Sequence, residues 1–270
     1  MLYDVNGNVI ADPSPLAGMK LSLLGDSISA YAGTIPSGNR AYYTGSNSGV
    51  SSPNQMWWKV LCDRTGMIPL VINAWSGSSI SPITGDTDTP MSDNSRCGNL
   101  GDGTTNPDII LIAGGVNDYS YASAAQNEPL PWDGKTAAVS TNSFTECYAD
   151  MIKKIHAYYP QALIVALSIF FNMRGTDNGY TLTHTVGNNS YTQADYNAAI
   201  ESVAKIMQIP FIRVDDIGMN RNNMYPTYAV DYSDTPTHPN AKGHKLIGEY
   251  LAAMLPSVAT GFSKANMQEV

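Results

Sequence analysis

The 270-residue sequence predicts an α/β fold in which a five-stranded parallel sheet carries helices on both faces. Five short runs rich in Ile, Leu and Val recur along the chain, with helical patterns between and after them. Nearly continuous apolarity without alternation is typical of parallel strands buried on both faces. The alternation of such strands with helices predicts that helices cover both sides of the sheet. The predicted strands are 20–24, 70–74, 108–113, 163–167 and 211–214.

The predicted helices are marked by capping residues and by apolar stripes at helical spacing. Ser143 and Glu146 form a capping-box pattern at the start of a stripe that covers 144–159. Further helices are predicted after the start signals at Ser52, Thr192 and Pro239. No linker, repeat or low-complexity segment interrupts this order, so we expect residues 1–270 to form a single domain.

The charge balance excludes several classes of partner. The formal net charge is −8 and only 14% of the residues are charged, against about 25% in a typical soluble protein. Nucleic acids and anionic membranes bind clustered Lys and Arg, and the sequence has no such cluster. We therefore expect a neutral, polar ligand and neither a nucleic-acid nor a membrane partner.

Neither a secretion signal nor a membrane anchor is expected in this chain. Its first residues lack the basic and apolar regions of a leader, and no apolar run approaches the ~18 residues of a membrane span. The sequence is equally consistent with a mature domain of an exported protein, so the compartment stays open.

No metal or other cofactor is expected. The cysteines Cys62, Cys97 and Cys147 are far apart and form no C-x-x-C pair, which disfavours a zinc or thioredoxin-type site. Small packed hydrophobic side chains are the favoured interpretation, with one disulfide at most. The acidic segment 85–88 lacks the spacing of an EF-hand calcium loop.

The lengths of the loops indicate which edge of the sheet carries the function. Segments that lead from a helix into a strand are short, whereas those that leave the strand ends are long. Strand-to-helix loops lie at the carboxyl edge, where open α/β folds bind ligands, and long loops are usually functional. Their Asn, Thr, Tyr and Gly content favours polar ligands over lipid tails. The long segments are 25–53, 75–107, 114–142, 168–192 and 215–239.

Four short polar motifs lie at this predicted edge. In chain order they are Gly25-Asp26-Ser27, Gly77, Gly115-Val116-Asn117-Asp118 and His238-Pro239. A serine hydroxyl becomes a good nucleophile when a neutral imidazole accepts its proton. Amide N–H groups can stabilise the oxyanion that then develops. The motifs therefore contain the residue types that acyl transfer requires.

In order and position, the four motifs resemble those of the SGNH (GDSL-type) hydrolases, over about residues 19–256. The resemblance implies a flavodoxin-like, three-layer α/β/α sandwich that hydrolyses esters through a serine nucleophile. It implies that Ser27 is the nucleophile and His238 the base. It also implies that the N–H of Gly77 and the side chain of Asn117 join the N–H of Ser27 in an oxyanion hole.

The third member of the catalytic triad is where the sequence departs from this family. The usual pattern is Asp-x-x-His, but Thr235 stands three residues before His238. Asp234, four residues before the histidine, is the favoured partner of its ring N–H, because a bulge can absorb one extra residue. Asp231 is the next candidate. A Ser-His dyad oriented by a backbone carbonyl is the third possibility.

The expected activity is that of a metal-independent serine esterase that removes small acyl groups, such as acetyl, from a carbohydrate. Trp57, Trp58 and the segment 73–78 resemble the bacterial branch associated with carbohydrate esters. One alternative is a glycan-binding module of a surface or phage-tail assembly whose hydrolase site has decayed. Another is a lipase or thioesterase, which would need an apolar groove. The oligomeric state is left open.

Two further groups of residues have simpler interpretations. Asp26 and Asp118 each adjoin a motif residue and are expected to order their own turns by hydrogen bonding to local backbone. Tyrosines in the long loops are candidates for a sugar platform or for ordinary surface packing. These tyrosines are Tyr42, Tyr43, Tyr119, Tyr121, Tyr180 and Tyr191.

Overall fold

A five-stranded parallel sheet lies at the centre of the computed structural model. Its first four strands are β1 (Lys20–Gly25), β2 (Ile68–Ala74), β3 (Ile109–Ala113) and β4 (Leu163–Leu167). An antiparallel hairpin, β5 (His184–Val186) and β6 (Asn189–Tyr191), precedes the fifth strand of the sheet, β7 (Phe211–Ile212). The structure describes residues 14–46, 48–83, 88–120, 128–134, 143–173, 184–186, 189–231, 233 and 235–259.

The strand order is β2-β1-β3-β4-β7, so the predicted five-stranded parallel sheet is confirmed. All five apolar runs found in the sequence fall on these strands. Strands β1 and β3 are almost entirely buried, which explains why their sequences are apolar without alternation. The hairpin of β5 and β6 was not predicted, because its segments are short and polar.

Six α-helices connect or flank the strands within the part of the chain that is described. They are α1 (Trp57–Thr65), α2 (Asn94–Gly98), α3 (Val116–Ser120), α4 (Phe144–Tyr158), α5 (Gln193–Met207) and α6 (Ala241–Val258). Shorter helical turns cover Ser27–Ser29, Pro53–Gln55 and Met224–Tyr228. None of the described helices is long and apolar enough to cross a membrane.

The strand order places the helices on two faces of the sheet. The chain moves from β1 outward to β2, then crosses β1 to reach β3 and continues in the opposite direction through β4 to β7. Since parallel crossovers are right-handed, α1 lies on one face, and α4 and α5 lie on the opposite one. Helix α6 packs so closely on α1 that a Cβ added at Gly248 would lie 2.6 Å from the carbonyl oxygen of Trp57. The result is the expected three-layer α/β/α sandwich.

The helix predicted after Ser52 begins later than expected. The hydroxyl of Ser52 accepts a hydrogen bond from the N–H of Asn54, but this cap starts only the short turn Pro53–Gln55. Met56 then has an extended backbone, and α1 begins at Trp57. The capping residues Thr192 and Ser143 precede α5 and α4, as predicted.

The three cysteines are buried free thiols.

Candidate active site

Ser27 lies directly beyond the carboxyl end of β1, in a short 3-10 turn. The carboxylate of Asp26 starts this turn by accepting a hydrogen bond of 2.9 Å from the N–H of Ile28, as predicted from the sequence. The two indole N–H groups of α1, Trp57 and Trp58, donate to the hydroxyl and carbonyl oxygens of Ser29, each at 3.2 Å. The buried tryptophans therefore fix the turn that carries Ser27.

A chain of hydrogen bonds runs from Ser27 through His238 to a carboxylate. The Nε2 atom of His238 lies 2.9 Å from Oγ of Ser27, although the residues are 211 positions apart in sequence. The Nδ1 atom lies 2.7 Å from Oδ2 of Asp231. The Asp231 carboxylate also accepts from the backbone N–H groups of His238, at 3.1 Å, and Thr237, at 3.3 Å. The side chains of Ser27, His238 and Asp231 are all buried.

The carboxylate beside His238 is not the one that the sequence spacing favours. Asp234, the favoured candidate, lies outside the described residues. Asp231, the second candidate, is the carboxylate that is hydrogen-bonded to Nδ1. The physical reason is that the backbone of 237 and 238 turns its N–H groups toward Asp231, seven residues before the histidine. Because a neutral imidazole has only one N–H to donate, the bond at Nδ1 leaves the Nε2 lone pair facing the hydroxyl of Ser27.

Residues after the two neighbouring strands lie at the same edge of the sheet. Gly77 follows β2, and its φ of +93° is a conformation that side-chain-bearing residues rarely adopt. A Cβ there would also lie 2.8 Å from Nη2 of Arg40. Asn117 stands in the first turn of α3, fully buried, and its Nδ2 donates to the carbonyl of Ser78 at 2.9 Å. The loop after β2 is thus joined to the loop after β3.

These features match a known sequence family. The sequence model of the GDSL-like lipase/acylhydrolase family matches residues 19–174, which is more than half of the chain. The chain belongs to that family. This GDSL hydrolase is therefore a serine ester hydrolase, as its sequence motifs indicated. A comparison with the sequences of curated proteins found no match.

Solved structures share the fold of the GDSL hydrolase at low sequence identity. A Bacteroides ovatus protein described as a GDSL-like lipase is 22% identical, with a TM-score of 0.61 over 89% of this chain and 99% of the other. A carbohydrate acetylesterase from Sinorhizobium meliloti is 13% identical, with a TM-score of 0.57 over 88% and 99%. A family 2 carbohydrate esterase with a carbohydrate-binding domain, from Corynascus thermopiles, is 20% identical, with a TM-score of 0.53 over 95% and 70%.

Asp118 makes longer-range contacts than the sequence suggested. Its carboxylate accepts hydrogen bonds from the N–H of Ile80, at 2.7 Å, and the N–H of Ser81, at 2.9 Å, and a third, short bond from the Ser81 hydroxyl. Burial raises the pKa of this carboxyl to about 6, and the three donors oppose that rise. Asp118 therefore anchors the distant loop that carries Gly77, rather than ordering only its own turn.

Arg96 was not identified from the sequence, yet it ties together the ends of β1 and β2. The buried guanidinium donates to the carbonyls of Gly25 and Asn73, at 3.3 and 3.1 Å, and to the side chain of Asn73 at 2.8 Å. It also reaches the hydroxyl of Ser78 at 2.9 Å. Burial lowers the pKa of Arg96 to about 10, so the group stays cationic at neutral pH. No local pattern marks such a residue, because all of these partners are distant in sequence.

The candidate platform tyrosines are placed in several ways. Tyr43 and Tyr119 are buried, so their rings belong to the core rather than to a sugar platform. Tyr42 packs on His238. Tyr191 is partly buried and contacts Glu128 and Tyr196. Two further candidates, at positions 121 and 180, lie outside the described residues. Within the described part, no group of three or more His, Cys, Asp or Glu side chains is arranged to hold a metal ion.

Proposed function

We propose that this GDSL hydrolase removes short acyl groups, acetyl foremost, from a carbohydrate, with Ser27 as nucleophile, His238 as base and Asp231 as the third triad member. The observation that carries the proposal is the continuous chain of hydrogen bonds from Ser27 Oγ through His238 to Asp231. A hydroxyl, an imidazole and a carboxylate in this order are the parts of a serine hydrolase triad.

In the acylation step, Ser27 Oγ forms a bond to the carbonyl carbon of the ester while its proton moves to His238 Nε2. The carbonyl oxygen becomes an oxyanion, and the histidine becomes an imidazolium whose charge faces Asp231. Collapse of the tetrahedral intermediate breaks the bond to the alkoxy oxygen. The imidazolium returns its proton to that oxygen, so the alcohol leaves neutral and Ser27 holds the acyl group.

In the deacylation step, a water molecule takes the place of the alcohol. His238 Nε2 accepts a proton from the water while the water oxygen bonds to the acyl carbon. The second tetrahedral intermediate then releases Ser27 Oγ, which recovers its proton from the imidazolium. The products are the carboxylic acid and the free enzyme.

The oxyanion hole is proposed to consist of the N–H groups of Ser27 and Gly77 and the side-chain amide of Asn117. They follow β1, β2 and β3, which are adjacent in the sheet, and this placement at one edge supports the proposal that the three donors act on the same oxyanion. Loops fixed by Asp118 and Arg96 supply the preorganisation that such donors need.

The choice of a carbohydrate ester rests on two observations. Structural neighbours of the chain include a carbohydrate acetylesterase and family 2 carbohydrate esterases, although the identities of 13–20% establish only the fold. The long carboxyl-edge segments are rich in Asn, Thr, Tyr and Gly, which favour hydrogen-bonded ligands over acyl chains. The hydrogen-bonded site argues against a decayed, purely glycan-binding module.

The proposal is tested with p-nitrophenyl acetate, butyrate and octanoate and with a peracetylated sugar. We expect kcat/KM to fall steeply beyond a few carbons, because a polar cleft gives a longer chain no apolar surface. The Ser27→Ala variant should lose on the order of 10⁶ in kcat if the site resembles the subtilisin triad. A preference for octanoate would favour a lipase. Normal turnover by Ser27→Ala, or no labelling of Ser27 by a fluorophosphonate, would overturn the assignment of the nucleophile.

A further inference from the structure

We propose that Tyr42 is a positioning residue for the reaction, which holds His238 and Asp231 in register with Ser27 and stabilises the imidazolium as it forms. This inference rests on the triad proposed above. Tyr42 lies in neither of the motifs that flank it in sequence, at Ser27 and Gly77, and the sequence offered it only as one of six possible sugar-platform tyrosines.

Tyr42 contacts both of the groups that assist Ser27. Its ring is stacked on the imidazole of His238, with ring centroids 3.4 Å apart and planes inclined by only 12°. Its hydroxyl lies 3.3 Å from Oδ2 of Asp231. The same oxygen accepts the hydrogen bond from His238 Nδ1. A single side chain therefore covers one face of the base and reaches the carboxylate that orients it.

The backbone links Tyr42 to the nucleophile turn. The N–H groups of Tyr42 and Tyr43 donate to the carbonyl of Ala30, at 3.1 and 3.0 Å, and Ala30 directly follows the turn Ser27–Ser29. The hydroxyl of Tyr43 donates to the carbonyl of Pro239, at 2.9 Å, next to His238. The pair of tyrosines thus connects the segment of Ser27 with the segment of His238, which the chain brings together from its two ends.

The stacked ring has two physical consequences for the base. Rotation of the imidazole out of line with Ser27 would bring it into the Tyr42 ring, so stacking restricts the misaligned orientations that reduce proton transfer. In addition, the face of an aromatic ring attracts a cation. That attraction is greater for the imidazolium of the transition state than for the neutral imidazole of the resting enzyme, so it contributes to kcat rather than to substrate binding.

This arrangement argues against Tyr42 as a sugar platform. The ring face against His238 is occupied, and the hydroxyl is directed at Asp231. A platform residue contributes equally to the ground state and the transition state, so its loss raises KM. A positioning residue acts on the proton-transfer step, so its loss lowers kcat. The two roles therefore give different kinetic results.

The test compares Tyr42→Leu, Tyr42→Phe and a control, Tyr250→Leu, on p-nitrophenyl acetate. Tyr250 is also a partly buried tyrosine packed against the core, but it lies in the second half of α6. We expect Tyr42→Leu to lower kcat by about 10- to 100-fold, with KM changed by no more than about twofold. Tyr42→Phe keeps the stacked ring and should lose only about two- to fivefold. The control should keep wild-type kcat.

A spectroscopic measurement distinguishes positioning from a general loss of structure. The proton on His238 Nδ1, held between nitrogen and Asp231, should give a low-field NMR resonance in the wild type and in Tyr42→Phe. In Tyr42→Leu it should broaden through exchange with water. If Tyr42→Leu proves less stable than Tyr250→Leu, it is replaced by Tyr42→Met in both the kinetic and the NMR measurements. The methionine side chain fills more of the space that the tyrosine ring leaves.

Three outcomes would overturn the inference: unchanged kcat in Tyr42→Leu, a rise in KM at constant kcat, or an unaltered Nδ1 resonance. The Ser27→Ala variant is measured beside them. If it is inactive while the Tyr42 variants turn over normally, the triad stands and only the role of Tyr42 is lost. If Ser27→Ala keeps its activity, the proposed function itself fails.

Discussion

Asp118 and Ser81 are joined by two hydrogen bonds to one carboxylate oxygen, from the backbone N–H and from the hydroxyl of Ser81. The residues are 37 positions apart. Asn117, the neighbour of Asp118, bonds to Ser78 in the same loop. Two consecutive residues after β3 therefore fix the loop after β2, and with it the backbone of Gly77. The geometry of the proposed oxyanion hole depends on this contact between loops.

Asp118→Asn should destabilise the protein and lower kcat. An amide retains one acceptor oxygen, so at least one of the donors on Ile80 and Ser81 would face an NH₂ group. Leaving a buried donor unsatisfied costs about 1–3 kcal/mol. We expect a lower Tm in thermal unfolding and a fall in kcat, because Gly77 lies in the loop that is released.

Asp102→Asn is the matched control for that variant. The carboxylate of Asp102 also accepts three bonds, from the N–H and hydroxyl of Thr104 and the N–H of Thr105, but in an exposed loop before β3. The Asp102→Asn variant should leave kcat unchanged. Equal effects of the two variants on kcat would contradict the special role assigned to Asp118.

The architecture could be predicted from the sequence because its signals are local. A strand buried on both faces needs an apolar side chain at nearly every position, and 109–113 shows this directly. Ser27 and Asn117 could be placed at the carboxyl edge because they lie two and four residues beyond the ends of β1 and β3. The lengths of the loops indicated the same edge of the sheet as the proposed site.

The remaining parts of the site depend on contacts that sequence spacing does not encode. Asp231 reaches His238 because of the path of the backbone between them, whereas the family spacing favoured Asp234. Arg96 and Tyr42 act on partners that are distant along the chain, so neither has a periodicity or a cap that marks it. Asp118 has a local interpretation that is sound for most aspartates in turns, but tertiary structure directs its carboxylate elsewhere.

Asp231→Asn should lower kcat by about 10⁴ near neutral pH, as loss of the triad carboxylate does in trypsin, the system from which this magnitude is taken. The amide can neither hold the Nδ1–H tautomer of His238 nor stabilise the imidazolium. Activity should partly recover at high pH. Asp234→Asn is the control and should retain most of the wild-type kcat. A larger defect in Asp234→Asn would return the role to that residue, and near-normal rates in both variants would indicate a dyad.

Asn117→Ala should behave as a kcat variant. Loss of one oxyanion donor costs roughly 10²–10³ in kcat, with KM little changed. Since Asn117 also bonds to the carbonyl of Ser78, thermal unfolding should be measured in parallel. Ser78→Ala keeps that carbonyl but removes the hydroxyl that accepts from Arg96, so it measures the effect of loosening the loop while the Asn117 amide is retained. A raised KM at constant kcat would reassign Asn117 to ground-state binding.

His244 predicts how the stability of the protein depends on pH. It is fully buried beneath Tyr43, and its Nδ1 accepts a hydrogen bond of 3.3 Å from the N–H of Trp57. Burial, and secondarily the charge of His238, lowers the pKa of His244 to about 3. Between this value and the ordinary 6.5, the unfolded chain binds a proton that the folded chain does not. The contribution of His244 to the free energy of unfolding therefore falls as the pH drops below 6.5 and is constant above it.

The variant His244→Asn isolates this effect, because an amide oxygen can replace Nδ1 as the acceptor for Trp57 but does not titrate. The free energy of unfolding of the wild type minus that of the variant should be level above pH 6.5. It should decrease by about 2–3 kcal/mol between pH 6.5 and pH 4.5, at about 1.4 kcal/mol per pH unit. Asp118 acts in the opposite direction, since its raised pKa makes the protein less stable as the pH rises from about 4 to about 6. The wild type and the His244→Asn variant both contain Asp118, so its contribution cancels in the difference. Urea unfolding at half-unit pH steps measures the difference, and a flat profile from pH 4.5 to pH 7 would show that His244 binds its proton as readily in the folded protein as in the unfolded chain.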